Sequence, residues 1–311
     1  MKYLFDHIQA VNELLHSKEN IILLTDFDGT LTPIRKHPDL AALSEEVRQA
    51  LTKLTQDKAV FLGIITGRSL RQIKKLVQIR GILYVANHGI EMEGPDIRST
   101  CPEAKKARST LWHIYMKLFK SLQHIEGIYV EDKGLSVSLH YRSVKKKGDV
   151  NEVSRTLHAV TKPFLERKMI LLSEGKMVYE IRPPVKWNKA TAIQWLLTDY
   201  FPLKCNEDAL VIYLGDDKAD MEVFDSLRGR ALTIFVGNPS NMSATEYRHI
   251  TGNDSCQSPF TPDTSVADYY VHSPAEVKTF LDHLYAQKQE TRNGCHAETQ
   301  SRKELYKKMP S

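Results

Sequence analysis

The feature that most constrains this chain is an apolar run at residues 21–24 that ends in two carboxylates, Asp26 and Asp28. Consecutive large apolar residues predict a strand buried on both faces, which is typical of a parallel sheet. Alternate residues of an extended chain point to the same side, so the two carboxylates lie together. Gly29 then permits a tight turn beyond the strand end, where open parallel sheets bind ligands. By itself the pattern also fits a strand followed by an acidic turn without function. The polar residues that follow the later strands decide between that interpretation and a ligand site.

Strands and helices alternate over the first 98 residues and again from residue 185. Amphipathic helices are predicted between the strands, with Ser69 and Asn188 as N-caps. This alternation predicts the α/β class, with a Rossmann-like parallel sheet and right-handed crossovers. The predicted strands cover residues 21–25, 59–66, 81–86, 209–214, 231–236 and 268–271.

The segment 99–184 follows a different order: helix, hairpin, helix, hairpin. That order predicts an α+β domain with an antiparallel sheet, inserted into the core as a cap. The stretch 237–265 is rich in Ser, Thr, Asn and Pro and predicts a long loop, and the polar tail predicts disorder. The predicted organisation is a core at 1–98, a cap at 99–184, the rest of the core at 185–286 and a disordered tail at 287–311.

The composition is that of an ordinary globular protein, with 41% apolar and 26% charged residues among 311. The net charge of +5 suits small anionic ligands, and no basic block interleaved with aromatic residues suggests nucleic acid as a partner. Acidic residues interrupt the N-terminal segment, so we expect no signal peptide, and no apolar run approaches the length of a membrane span. Four scattered cysteines without a C-x-x-C motif indicate free thiols, and we expect a cytoplasmic protein with no membrane partner.

Further polar side chains follow the other predicted strands. Thr66 ends the second strand, and Asp216 and Asp217 follow a later one, with Asp220 at the start of the next helix. The carboxyl ends of parallel strands meet at one edge of the sheet, so these carboxylates join Asp26 there. Their mutual repulsion requires a cation. An all-oxygen ligand set, completed by water and phosphate, favours Mg²⁺.

Lys189 supports a phosphate site from another direction. It follows the helix cap Asn188, where backbone N–H groups and a side-chain cation together bind phosphate. Taken singly, each feature has an ordinary explanation: a surface lysine, a strand-end hydroxyl at Thr66, and a capping or calcium-type pair at Asp216 and Asp217. Their order along the alternating fold, D-x-D-G, T-G-R, Lys and then G-D-D, favours phosphoryl chemistry.

These motifs resemble the haloacid dehalogenase superfamily of phosphohydrolases and, within it, the trehalose-6-phosphate phosphatases. The resemblance covers about residues 20–285. The superfamily motifs alone imply phosphoryl transfer through an aspartate, whereas the motifs of the insert point to the narrower family. The matching motifs are D-F-D-G-T-L from Asp26, T-G-R from Thr66, N-H-G-I-E from Asn87, E-D-K-G from Glu131, H-Y-R from His140, E-I-R-P from Glu180, Lys189, and G-D-D from Gly215.

The chain departs from the family pattern G-D-D-x-T-D-E-D at two positions that concern positioning. Ala219 stands where the pattern has a threonine, and Met221 stands where it has an acid. The carboxylates Asp216, Asp217 and Asp220 survive, so the departures affect the fine placement of groups and leave the catalytic set intact.

The resemblance implies a role for each site residue. Asp26 attacks phosphorus and forms an aspartyl-phosphate, while Asp28 protonates the departing sugar oxygen and later deprotonates water. Mg²⁺, Lys189 and Thr66 offset the charge of the transferring group. The implied metal ligands are Asp26, the backbone carbonyl of Asp28, and Asp216, with Asp217 or Asp220 as an outer or alternative ligand. The implied sugar-binding residues are Gly67, Arg68, Asn87, His88, Glu131, Lys133, His140, Arg142, Glu180 and Arg182.

Three functions remain open at the level of sequence. The first is a magnesium-dependent phosphatase that hydrolyses trehalose 6-phosphate, with a functional link to a trehalose-6-phosphate synthase. The second is a related phosphatase for sucrose 6-phosphate or a glycosyl-phosphoglycerate. The third is a non-catalytic module that senses a sugar phosphate, which the intact catalytic set disfavours. The charged residues of the cap also fit a solvated sheet face with ion pairs, and His88 also fits a structural histidine.

Overall fold

The computed structural model of the chain describes residues 1–175, 177–203, 208–239 and 266–307, the last range with side chains up to residue 292. These residues form a large sheet flanked by helices and a smaller sheet that carries its own helices. Among them, no helix has both the length and the apolar character that crossing a bilayer requires. Most of the predicted loop 237–265 lies outside the described residues, as do Cys205 and Cys256.

The described residues contain thirteen strands. They are β1 Lys2–Tyr3, β2 Asn20–Thr25, β3 Val60–Ile65, β4 Leu83–Ala86, β5 Glu91–Gly94, β6 Ile97–Thr100, β7 Tyr129–Asp132, β8 Val137–His140, β9 Leu171–Gly175, β10 Val178–Arg182, β11 Ala209–Gly215, β12 Leu232–Val236 and β13 Tyr269–Val271. Nine of them form the large sheet in the order β1-β13-β12-β11-β2-β3-β4-β5-β6. Neighbours pair in parallel from β1 as far as β4, and the β4-β5-β6 end is antiparallel. The predicted parallel core is confirmed.

The apolar run at residues 21–24 forms the centre of this sheet. Strand β2 lies between β11 and β3, and its Leu24 pairs with Tyr213 on one side and Gly63 on the other. From Ile21 to Thr25 the strand is buried, because sheet neighbours cover both edges and helices cover both faces. Asp26 therefore emerges in the middle of the carboxyl edge.

The described helices divide between the core and the insert. The core has α1 Ile8–His16, α2 Glu45–Thr55, α3 Leu70–Val77, α7 Lys189–Trp195, α8 Lys218–Leu227 and the closing helix Pro274–Lys307, and the insert has α4 Pro102–Lys106, α5 Arg108–Leu122 and α6 Lys147–Glu166. Helices α3 and α7 begin at the predicted caps. The Ser69 side chain accepts from the Gln72 N–H, and the Asn188 side chain accepts from the Thr191 N–H, and both form capping boxes. These caps fix where α3 and α7 start, directly beside two of the predicted functional motifs.

The insert contains the smaller sheet, which is antiparallel in the order β7-β8-β10-β9. Helices α5 and α6 cover one face and bury apolar residues such as Leu118, Leu157, Val137 and Ile181. Side chains alternate along a strand, so the polar residues of these hairpins lie on the other face. That face looks onto the carboxyl edge of the large sheet, as expected for an inserted α+β cap.

Three features differ from the sequence predictions. Strand β1 adds an edge to the large sheet and is too short to leave a periodic pattern. The hairpin of β5 and β6, for which the sequence analysis predicts no strands, extends the other edge up to Thr100. The closing helix continues to Lys307, which corrects the prediction of a disordered tail over residues 287–307. This stretch is rich in Gln, Glu, Lys and Arg, which favour helix even in a polar segment.

The closing helix ties the end of the described chain to its beginning. Phe280, Leu281 and Leu284 are fully buried in the core on one side of the large sheet. Lys288 Nζ donates to the Glu19 carbonyl at 2.6 Å. Because Glu19 directly precedes β2, the closing helix is fixed against the central strand.

Leu281→Ala is expected to destabilise the core. Leu281 is fully buried, and its truncation leaves a cavity, so the free energy of unfolding should fall by about 2–5 kcal/mol. Leu40→Ala is the matched control, because Leu40 is 63% exposed and should change stability by no more than about 0.5 kcal/mol. Urea titrations followed by circular dichroism measure both. Equal losses would contradict the role given to the buried face of the closing helix.

Candidate active site

A cavity of about 990 Å³ lies between the carboxyl edge of the large sheet and the polar face of the smaller one. The predicted residues of both parts meet in it. The core contributes Asp26, Asp28, Thr66, Gly67, Arg68, His88, Lys189, Asp216 and Asp217. The insert contributes Glu131, Lys133, His140, Arg142, Glu180 and Arg182.

Asn87 is the predicted site residue that the cavity does not include. It is fully buried in the turn after β4, where its Oδ1 accepts from the Ser136 hydroxyl at 2.9 Å. Its Nδ2 donates to Glu91 Oε2 at 2.5 Å. Ser136 belongs to the insert, so Asn87 connects core and insert, and its contact with sugar stays a prediction.

Lys189 lies at the centre of the carboxylate cluster. Its Nζ donates to Asp26 Oδ1 at 2.7 Å and to Asp220 Oδ1 at 2.8 Å, and it lies 3.8 Å from Asp217 Oδ1. The Lys189 side chain is 2% exposed, although it begins helix α7. The alternative of a surface lysine is thereby excluded, and Lys189 is a buried cation at the sheet edge.

Asp220 organises the cluster from a fully buried position. Its Oδ1 accepts from Lys189 and from the Tyr213 hydroxyl at 2.6 Å. Its Oδ2 accepts from the backbone N–H groups of Asp216 and Asp217 at 3.0 and 3.1 Å. A carboxylate has about four acceptor positions, and these four donors occupy them all. The hydrogen bonds of Asp220 therefore hold Lys189 and the G-D-D turn in place.

The electrostatics of the cluster require positive charge. Burial raises the pKa of Asp26 well above its usual value, and the neighbouring carboxylates raise it further while Lys189 opposes them. Burial and the charge of Asp217 raise the pKa of Asp220 to about 6. Burial disfavours the charge of Lys189, but the surrounding carboxylates outweigh burial and raise its pKa, so it is protonated. A single lysine therefore leaves excess negative charge at this edge.

Asp216 and Asp217 follow β11 and have different surroundings. Asp217 caps helix α8, where its Oδ1 accepts from the Asp220 N–H at 3.0 Å. Asp216 lies directly over Gly29, and a Cβ added to Gly29 would be 2.2 Å from Asp216 Oδ2. Gly29 also has a φ of +93°, which strains any residue with a side chain. The close approach of the D-x-D-G turn to the G-D-D turn therefore depends on this glycine.

Asp28 is held by a bidentate ion pair with Arg68. Nε and Nη2 of Arg68 donate to the two Asp28 oxygens at 2.6 and 2.7 Å. Arg68 is 7% exposed, donates a further hydrogen bond to the Pro38 carbonyl at 3.0 Å, and stacks 5.5 Å from the Phe27 ring. Such a fork fixes the orientation of a carboxylate. Arg68, predicted as a sugar ligand, thus has its main contact with Asp28.

Glu131 joins the insert to the core. His140 Nε2 lies 2.9 Å from Glu131 Oε2, and the amide of Gln72 on α3 donates to Oε1. Burial acts to raise the pKa of Glu131, but the hydrogen bond with His140, the charge of Lys133 and the bond from Gln72 together lower it to about 2. Glu131 is therefore a fixed carboxylate in the cavity wall.

Lys133 makes the second contact of this kind. Its Nζ donates to Glu180 Oε1 at 2.9 Å and to the Gly67 carbonyl at 3.1 Å. The Ser138 hydroxyl also donates to Glu180 Oε1, at 2.7 Å. Lys133 thus bridges the insert and the T-G-R loop of the core.

Sequence reasoning misses three side chains that support the site. Tyr213 lies on β11, two residues before the G-D-D turn, and strand alternation is the signal that places it on the side of Gly215. Gln72 shows only the capping-box pattern, with nothing to indicate its bond to Glu131. Tyr129 stacks against His140 and packs at a tilt against His37, with ring centroids 5.5 and 4.3 Å away, and its sequence context gives no signal for this.

The sequence profile of the trehalose-phosphatase family matches residues 24–264. This chain belongs to the trehalose-phosphatase family. Probable trehalose-phosphate phosphatase E of Arabidopsis thaliana is 30% identical to it over 91% of this chain and 77% of that protein. Probable trehalose-phosphate phosphatase 2 of Oryza sativa subsp. japonica is 32% identical over 88% of this chain and 70% of that protein. The chain is accordingly a phosphoric monoester hydrolase, and the resemblance seen in its motifs is confirmed.

Solved structures support the fold independently of sequence. The C-terminal domain of the C. albicans trehalose-6-phosphate phosphatase superimposes with a TM-score of 0.69 at 20% identity, over 89% of this chain and 96% of that one. A haloacid dehalogenase-like hydrolase from Bacteroides thetaiotaomicron gives a TM-score of 0.53 at 13% identity, over 85% and 99%. These likenesses confirm the predicted fold class of this trehalose-phosphatase family member: a haloacid dehalogenase core with an inserted cap.

Gly29→Ala is expected to abolish most of the phosphatase activity. The added methyl collides with Asp216, and displacement of a catalytic group by about 1 Å can cost about 100-fold in rate. Gly229→Ala is the matched control, because Gly229 also has a positive φ, +71°, but a Cβ there meets nothing within 4 Å. Phosphate release from p-nitrophenyl phosphate measures both variants. Similar losses would show that backbone strain, not the contact with Asp216, is responsible.

Glu131→Gln is expected to destabilise the protein in a pH-dependent way. Folding lowers the pKa of Glu131 from 4.5 to about 2, so its charge stabilises the folded state above pH 4.5, and this contribution disappears as the pH falls towards 2. At pH 7 the loss should approach about 3 kcal/mol, since each pKa unit corresponds to about 1.4 kcal/mol. Urea titrations at pH 7, 4 and 3 should show a shrinking difference from the wild type. A difference that grows towards pH 3 would contradict the assignment.

Proposed function

We propose that this chain hydrolyses trehalose 6-phosphate to trehalose and phosphate through an aspartyl-phosphate on Asp26. The observation that carries the proposal is a single cavity in which Asp26, bound by the buried Lys189, faces an insert lined with hydrogen-bonding groups. Asp26 and its neighbours in the core serve phosphoryl transfer, and the groups of the insert serve sugar binding. The curated relatives are named as trehalose-phosphate phosphatases, which supports the choice of sugar.

The acidic residues fit a magnesium ion. Oxygens of Asp26, Asp216 and Asp220 lie within 4.8 Å of one another, and the first two residues line the cavity. We therefore assign Asp26 and Asp216 as ligands, with Asp220 holding the turn and Asp217 capping α8. The family resemblance adds the backbone carbonyl of Asp28 as a third ligand. Hard divalent ions prefer such oxygen ligands. Mg²⁺ bound there offsets the excess negative charge and polarises the phosphoryl oxygens.

The side chains of the core account for the bonds made and broken. An Asp26 oxygen attacks phosphorus, the bond from phosphorus to the sugar oxygen breaks, and Asp28 gives that oxygen a proton. Asp28 then takes a proton from water as the water oxygen attacks phosphorus, which breaks the bond to Asp26 and releases phosphate. Lys189 and Thr66 stabilise the negative charge of the group in transfer.

The insert supplies directional contacts for a polyhydroxyl ligand. Lys133 and Glu180 are fixed by their ion pair, and Glu131 is fixed by His140, so each presents a defined donor or acceptor to the cavity. Arg142 donates to the Arg35 carbonyl of the core at 2.9 Å, which joins the two parts beside the cavity. An insert held in this way encloses the sugar during phosphoryl transfer.

A related sugar phosphatase, acting on sucrose 6-phosphate or a glycosyl-phosphoglycerate, is the alternative, because it would use the same phosphoryl chemistry. A non-catalytic sensing role is disfavoured, since Asp26, Asp28, Thr66 and Lys189 all line one cavity. The functional link to a trehalose-6-phosphate synthase and the cytoplasmic location stay predictions.

Phosphate release from a panel of sugar phosphates tests the proposal. With Mg²⁺, trehalose 6-phosphate should be hydrolysed with a kcat/KM well above that of sucrose 6-phosphate, and chelation by EDTA should remove the activity. Asp26→Asn should show no turnover and an unchanged circular dichroism spectrum, because the amide cannot form the covalent intermediate.

Asp225→Asn is the matched control, because Asp225 lies on the exposed side of α8 and should leave turnover unchanged. Turnover by Asp26→Asn would refute the assignment of Asp26 as the nucleophile. Phosphate release from sucrose 6-phosphate alone would refute trehalose 6-phosphate as the substrate. Activity that persists in EDTA would refute the requirement for Mg²⁺.

A further inference from the structure

Gln72 on helix α3 uses both ends of its side-chain amide. Its Oε1 accepts from the Ser69 N–H at 3.1 Å and from the Ser69 hydroxyl at 2.8 Å, at the capped start of the helix. Its Nε2 donates to Glu131 Oε1 on strand β7 of the insert. Because the oxygen is fixed on Ser69, the direction of the N–H donors is fixed as well. The start of α3 thus presents a preoriented donor to the insert.

The helix cap alone does not explain a glutamine at this position. Glutamate serves equally well in a capping box, and its charge also suits the positive end of a helix. Glutamine adds what glutamate lacks, which is a donor for a second partner. Glu131 is that partner: it is 5% exposed and charged, so its oxygens need hydrogen bonds. The identity of residue 72 therefore points to the insert.

Two neighbouring contacts join the same part of the insert to the same part of the core. Lys133 Nζ donates to the Gly67 carbonyl at 3.1 Å, and the Ser136 hydroxyl donates to Asn87 Oδ1 at 2.9 Å. Strand β7 and the turn that follows it therefore rest on the T-G-R loop and on the turn after β4. The bond from Gln72 ends on a charged oxygen, and such hydrogen bonds are stronger than neutral ones.

We propose that Gln72 is a latch, which holds the insert closed over the phosphoryl site by binding Glu131. Gln72 lies outside the lining of the cavity, so it acts through Glu131 as a positioning residue. The latch raises the affinity for substrates that reach into the insert and leaves the phosphoryl chemistry itself unchanged. A closed insert matters only for a ligand that extends beyond its phosphate, so the latch deepens the proposed function and rests on it.

Gln72→Glu tests the latch without disturbing the helix cap. The new carboxylate still accepts from Ser69, but its second oxygen faces Glu131 and repels it, which favours an open insert. Substrate binding must then close the insert, so KM for trehalose 6-phosphate should rise about 10- to 100-fold while kcat changes less than about twofold. Hydrolysis of p-nitrophenyl phosphate, which has no sugar, should change less than about twofold, because it makes no use of the closed insert.

Gln49→Glu is the matched control for this change of charge. Gln49 on α2 also donates to a glutamate, Glu45, at 3.1 Å, but both side chains are exposed and belong to one helix of the core. Like charges four residues apart on an exposed helix repel each other only weakly. The control should leave the hydrolysis of both substrates unchanged, because its new charge does not face the insert.

The Glu131→Gln background shows whether the two residues act as a pair. An amide at position 131 exchanges the donor and the acceptor of the bond, so Gln72→Glu should raise KM there by less than about twofold. Each comparison is made within one background, so any separate contact of Glu131 with the sugar cancels. Urea titrations of the same four proteins should show the same lack of additivity in the free energy of unfolding, and these titrations need no substrate.

Four results would overturn the latch. An unchanged KM in Gln72→Glu would show that the insert closes without this bond. A similar loss with p-nitrophenyl phosphate, or a loss that lies in kcat, would show that residue 72 supports the phosphoryl site directly. Additive effects of the two substitutions would show that the residues do not act as a pair. A wild-type enzyme that is inactive on trehalose 6-phosphate would instead refute the proposed substrate, and the urea titrations would still test the latch.

Discussion

Burial of several carboxylates at the end of one strand is the constraint on which this structure depends. Asp26 is 4% exposed and Asp220 is fully buried, and both bind the same lysine. Lys189 reaches them only because the cap Asn188 starts α7 at that point. Tyr213 and two backbone N–H groups then complete the surroundings of Asp220. The need to compensate these buried carboxylates thus determines the start of α7, the position of Tyr213 and the path of the G-D-D turn.

The charged side chains of the insert are compensated within the insert itself. Its acids have partners within the insert: Glu180 pairs with Lys133, and Glu131 lies within hydrogen-bonding distance of the His140 imidazole. Between the two sets lies His88, whose neutral ring adds no charge to either. The core can therefore stay rich in negative charge for its metal while the insert presents a nearly balanced surface, which suits an uncharged sugar attached to an anionic phosphate.

Local patterns predict the features that depend on chain periodicity. The apolar run predicts β2, and the shared carboxyl edge of parallel strands is enough to bring Asp26, Thr66 and Asp216 together. The inserted α+β cap follows from its repeated order of helix and hairpin. These predictions succeed because each rests on a periodicity or on a topological rule that neighbouring residues reveal.

Contacts between distant segments are beyond the same reasoning. The pairing of Arg68 with Asp28 and the link from Asn87 to Ser136 depend on how loops meet in space, so the motifs alone assign both residues to the sugar. The choice between Asp217 and Asp220 depends on which of two nearby carboxylates caps α8, and the sequence contains both. The sequence does not predict the full length of the closing helix, because the later residues of that helix carry no apolar stripe.

The order of the strands also bears on how the chain is made. Ile21 of β2 pairs with Val60 on one side and with Leu210 on the other. Ribosomes add about 5–20 residues per second, so the second partner of the catalytic strand emerges many seconds after the first. Every strand of the insert is synthesised in that interval, and its sheet can close while one edge of β2 is still open. An unpaired apolar edge of this kind is a site for aggregation and for chaperones, and slower elongation prolongs its exposure.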